Sequence, residues 1–174
     1  MRRPWVEPIL MQAIVRAFDL LEGAIKIVMA GLIAGMVVLI ATQVCFRYLL
    51  NEPLAWTEEV ARHLMVWSAL LGAAVAYRRK GHLGMDILVM HLPRRWQRRV
   101  EIVLQALTIA FFGLLVIHGI PLVERTMRQL SSAIRIPMGY IYMSIPVGSA
   151  LILLFAVERL IRIGEKGPEG ATTV

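Results

Sequence analysis

The residues most able to do chemistry cluster between Trp56 and His63, in the run Trp56-Thr57-Glu58-Glu59-Val60-Ala61-Arg62-His63. Glu58 and Arg62 are four apart, as are Glu59 and His63, so each acid shares a helix face with a base in the favourable order. Acids at the start of a helix also suit its dipole. Three roles fit this spacing: a satisfied helix end behind a Trp56 anchor, a polar contact docking a partner membrane subunit, or a proton or ion relay. Adjacent Glu58 and Glu59 point about 100° apart on a helix and make no carboxylate dyad. His63 and His118, if they lie toward the same end of antiparallel neighbours, could in principle ligate a haem between them. The sequence has no zinc spacing, nucleophile elbow, phosphate loop or glycine-rich dinucleotide motif, and the expectation is a non-enzymatic chain without a cofactor.

What must hold these residues is a set of membrane helices. The chain has 174 residues, 58% of them hydrophobic, with a mean hydropathy of +0.67. A soluble domain averages about 45–50% apolar residues. The net charge of +7 comes from basic residues flanking apolar runs, the ordinary topology signal, and nucleic-acid binding is not expected. The single cysteine, Cys45, lies in an apolar run and is expected to be a small buried hydrophobe.

The expected fold is an all-α integral membrane protein, one domain over residues 1–174, with four spans at about 24–46, 55–77, 100–120 and 138–157. The second is the most informative. Leu64 to Tyr77 carries no formal charge, yet a helix needs about 20 residues to cross a bilayer core. The span must therefore reach back through His63, Arg62, Glu59 and Glu58, which places those groups at the membrane boundary, where they must pair or face protein. Gly31 and Gly35 in the first span form a small-xxx-small pattern, and Ser68, Gly72 and Ala76 share one face of the second. Pro146 should kink the fourth by removing a backbone donor. Mid-membrane carboxylates and interrupted helices, the marks of a stand-alone pump or secondary transporter, are not apparent in the spans.

Two interfacial amphipathic helices are expected beside the spans. Ile9, Leu10, Ala13, Ile14, Ala17, Phe18 and Leu21 recur at helical spacing over about 8–22, and no secretory signal is evident there. A second such helix is expected over about 83–98, with Trp96 in the headgroup layer and arginines on anionic lipid. Between spans two and three stand Arg78, Arg79, Lys80, Arg94, Arg95, Arg98 and Arg99 against Asp86 alone. The positive-inside rule puts that block, and with it both termini, in the cytoplasm. Arg125, Arg128 and Arg135 then fall on the opposite side, against the rule, and pairing with acids or lipid phosphates would account for them.

The run Arg47-Tyr48, Asn51, Trp56-Thr57-Glu58-Glu59, Arg62, Trp67, Gly72-Ala73-Ala74, Arg78 and His82 resembles the signature of the DctQ-type small membrane subunit of tripartite ATP-independent periplasmic (TRAP) transporters. Ile136-Pro137-Met138-Gly139-Tyr140 and Ile145-Pro146-Val147-Gly148 resemble that family's entry into its fourth span. Members often carry a tryptophan near the position of Gly139, and this chain does not. The resemblance implies a bacterial inner-membrane protein that braces a large, sodium-coupled DctM-type permease subunit. A periplasmic binding protein would deliver an organic acid to the pair. Arg47, Trp56, Glu58, Glu59, Arg62 and Trp67 carry over as positions that stabilise the fold or the partner contact, with Gly72, Arg78, His82, Pro137, Pro146 and Gly148 beside them. The competing classes are a haem- or quinone-linked membrane anchor and a self-sufficient small transporter.

Overall fold

A computed structural model describes residues 6–52, 54–80 and 94–165. The chain forms α1 (Val6–Leu49), α2 (Ala55–Lys80), α3 (Arg94–Thr126), α4 (Gly139–Tyr142) and α5 (Ser144–Glu165). Among the described residues, four stretches are long and apolar enough to cross a membrane: Val15–Leu49, Ala55–Arg79, Ile102–Thr126 and Gly139–Leu160. Among the described residues the only strand-like feature is one antiparallel bridge, Leu130 with Pro137.

The helix boundaries follow local chemistry. At the end of α1, Asn51 adopts φ 57, a left-handed conformation that asparagine tolerates better than most residues, and the Glu52 amide folds back on the Phe46 carbonyl at 3.3 Å. At the start of α2, the Thr57 hydroxyl and amide both donate to the Leu54 carbonyl, at 2.7 and 3.3 Å. Pro146 occupies the first turn of α5, where a missing amide is tolerated. Met143, between α4 and α5, keeps helical dihedrals (φ -59, ψ -25), and its amide donates to the Gly139 carbonyl at 2.8 Å, so the fourth span runs on from Gly139 to Leu160.

Two differences from the sequence reading stand out. No boundary separates residues 8–22 from the first span: α1 is one helix of 44 residues, about 66 Å at 1.5 Å per residue. Gly23 does not break it, and Pro8 sits in its first turn, where it is compatible with helix. The helix expected over 83–98 falls largely outside the described residues, and residues 94–98 are instead the opening of α3.

Packing makes α2 and α5 the centre. α2 lies against α1 and α5, and α3 lies against α5. Ile25, Leu71, Ala74, Val75, Ile152 and Phe155 form the buried core, with Phe18 and Leu21 packed on it. The close crossing of α2 and α5 depends on Gly148, because a β-carbon there would stand 2.9 Å from Leu70 Cβ. By contrast, much of the apolar surface of α1 and α3 is exposed, including Ile27, Val38, Leu107 and Ile117, and Cys45, expected to be buried, lies exposed on α1 as well. In water such a surface would be unstable; in hydrocarbon it is the expected exterior.

Candidate functional site

α2 carries a charged group at each end. Glu58 and Arg78 are separated by about 30 Å along the helix, the thickness of a bilayer core. The two ends are built differently.

At the first end, the Arg62 guanidinium donates to Glu58 at 3.0 Å, and the two side chains are 64% and 61% exposed. This is a loose surface pair. Glu59 is more committed: its Oε2 accepts from the Ala133 amide at 2.7 Å, and its Oε1 lies 3.9 Å from His63 Nε2. Ala133 belongs to a hairpin between α3 and α4. The hairpin is closed by Ser131 N–H to the Ile136 carbonyl at 2.9 Å and Met138 N–H to the Gln129 carbonyl at 2.8 Å. Arg135, at φ 55, makes its tight reversal. Pro137 sits opposite Leu130, in the edge position where a residue without an amide is tolerated. A cavity of about 770 Å3 opens between the hairpin and α2, with Glu58, Glu59 and Arg62 at its rim and Val66, Ile141 and Ile145 among its apolar lining. About two turns beyond Glu59, the Trp67 indole donates to the Tyr140 carbonyl at 3.2 Å and ties α2 to α4.

At the second end, Arg78 is the hub. Its guanidinium donates to Glu158 at 3.1 and 3.4 Å, to Asp19 at 2.7 Å and to Glu22. It also stands 5.5 Å over the Phe155 ring, within cation–π range. Glu22 takes further bonds from Lys26 and Arg79. One planar fork with five N–H donors thus joins three helices, where a lysine would offer three donors at a single point. Next to it, the Tyr77 hydroxyl donates to Gln105 at 2.9 Å, and the Gln105 amide donates to the Ala156 carbonyl at 2.8 Å. This adds α3 to the same block.

The remaining expected positions are spread along the bundle. Arg47 is exposed in the last turn of α1, 6.0 Å from the Tyr48 ring. Trp56 is exposed in the first turn of α2. At Gly72 an added β-carbon would stand 3.3 Å from Met29 Sδ, so α1 packs close there. Pro146 lies against Gly119 of α3. His118 is exposed, and His82 lies outside the described residues. Among the described residues no group of three His, Cys, Asp or Glu side chains could hold a metal ion.

Sequence reasoning missed Asp19, Glu22 and Glu158 as partners of Arg78. A usable signal was present: Glu22 and Lys26 are four apart at the edge of the first span, and Glu158 closes the fourth. Acids at span ends facing a basic block are candidates for pairing.

Comparison with known proteins agrees with this architecture. The family described as "Tripartite ATP-independent periplasmic transporters, DctQ component" matches residues 36–165, more than half of the chain. The sialic acid TRAP transporter small permease protein SiaQ of Vibrio cholerae is 24% identical over 79% of this chain and 80% of its own length. A putative TRAP transporter small permease protein of Haemophilus influenzae is 25% identical over 81% of this chain and 88% of its own. The isethionate TRAP transporter permease protein DctMQ of Oleidesulfovibrio alaskensis is 28% identical over 74% of this chain, which matches only 22% of that longer protein. With four apolar spans, the match over most of the bundle and these relatives, the chain belongs to the DctQ family, as a multi-pass inner-membrane small permease subunit of a TRAP transporter.

Proposed function

We propose that this subunit is a rigid scaffold for a larger permease subunit, which carries the substrate and sodium sites and takes up an organic acid delivered by a periplasmic binding protein. The observation that carries the scaffold reading is the Arg78 hub. By joining α1, α2 and α5 through one buried guanidinium, it makes the bundle a single body against which another subunit can move. The match to a fraction of DctMQ supports a larger permease part as the partner of this domain. The acid reading is supported by the relatives' names, which specify sialic acid, isethionate and C4-dicarboxylates. In this reading both termini are cytoplasmic, beside the basic connection between α2 and α3, and the Glu58–Arg62 rim faces outward.

Proteoliposome uptake tests the reading. This subunit alone should transport nothing. Reconstituted with the large subunit and the binding protein, it should support uptake that requires an inward sodium gradient and no ATP. Gradient-driven uptake by this chain alone would overturn the proposal.

A further inference from the structure

We propose that the hairpin between α3 and α4 is a membrane-surface anchor, seating Leu130 and Ile136 in the headgroup layer while Arg128 and Arg135 bind lipid phosphate. The starting observation is an anomaly of charge. Arg125, Arg128 and Arg135 are exposed and have no ion-pair partner among the described residues, whereas Arg62, Arg78 and Arg79 each have one. The hairpin itself contains no acid.

The hairpin is also held low. It links two spans directly, leaving α3 at Thr126 and entering α4 at Gly139. Its reversal is tied to Glu59 through the Ala133 amide. Glu59 lies four residues into α2, about 6 Å below that helix's first residue. The tip is therefore turned back to the level of the first turns of a membrane span, where Trp56 stands exposed. At that level Leu130 is 61% exposed and Ile136 40% exposed. Two exposed apolar residues and two exposed arginines on one short hairpin, at the height of the headgroups, match the amphipathic composition that binds an interface. The source of the phosphate is the bilayer the chain spans, because the tether to Glu59 keeps the cations beside it. Glu59 is a positioning residue here: it sets the height of the hairpin without touching lipid.

The test uses the full chain in vesicles of phosphatidylcholine with or without phosphatidylglycerol. A fluorophore on Leu130→Cys, in a Cys45→Ala background, reports depth. It should be quenched by lipid spin-labelled near the headgroup and protected from aqueous iodide. In detergent, short-chain phosphatidylglycerol should bind the unlabelled chain, and Arg128→Gln with Arg135→Gln should weaken that binding about fivefold per arginine removed. The difference should vanish near 1 M salt, where the Debye length falls to about 3 Å. Both arginines are exposed, so the variant should keep the parent's circular dichroism and gel-filtration profile. A Leu130 label that is open to iodide in both vesicle types overturns the anchor. So does protection that appears only when the large subunit is added, which would make the hairpin a protein contact. Unchanged lipid affinity in the double variant overturns the phosphate contact.

Discussion

Arg78→Ala is the sharpest perturbation the fold offers, because one side chain serves three helices. The arginine side chain is 10% exposed, and its partners Glu158 and Glu22 are 7% and 11% exposed. Asp19, at 62%, is largely solvated and adds less than about 1 kcal/mol. Glu22 retains Lys26 and Arg79 after the substitution. The buried Glu158 carboxylate loses the two bonds that the guanidinium gives it. Breaking a buried pair from one side costs about 3–5 kcal/mol, a shift in the folded-to-unfolded ratio of about a hundredfold or more. The assay is reversible unfolding by sodium dodecyl sulfate in mixed micelles, followed by the fluorescence of the four tryptophans. Arg78→Lys should fall between wild type and Arg78→Ala. Arg78→Met combined with Glu158→Gln should recover part of the loss, since the Arg78–Glu158 charge pair is then removed from both sides at once. A cost below about 1 kcal/mol for Arg78→Ala would refute the hub, because that is what an exposed pair yields.

The other expectations are simpler. Arg62→Ala and Glu58→Gln should each change the chain's own stability by less than about 1 kcal/mol in the same assay, yet weaken co-purification with the large subunit; intact assembly in both would reduce the pair to a helix cap. Gly148→Val should destabilise the bundle by about 1–3 kcal/mol through overpacking against Leu70, whereas Gly31→Ala, with nothing within 4 Å of an added β-carbon, should be nearly neutral in thermal melts. Ser132→Cys in a Cys45→Ala background should react with a membrane-impermeant thiol reagent added outside whole spheroplasts. Reaction only after lysis would invert the expected topology.

The spans were readable because each rests on a property of its own residues. Ala55 was identified as the start of α2 from the minimum length of a membrane helix, and the structure begins α2 there. The Arg78 hub was not readable, because its partners come from residues 19, 22 and 158, and no periodicity says which helices are neighbours. The amphipathic pattern of 8–22 even suggested that Asp19 and Glu22 belonged to a surface helix, when their faces turn toward α2. The hairpin was hidden for another reason. Ser131 to Ile136 has no strand pattern, and its shape comes from Arg135 in a left-handed conformation and a bond to Glu59 far along the chain.

The fixed distance between the two ends of α2 has a mechanical consequence for the surrounding lipid. One end is pinned by Arg78 and the other by the bond from Glu59 to Ala133, so the greasy height of the subunit cannot adjust to its bilayer. A thinner membrane would have to be met by tilting the whole body or by stretching the nearby acyl chains, each at a fraction of a kcal/mol per Å of mismatch.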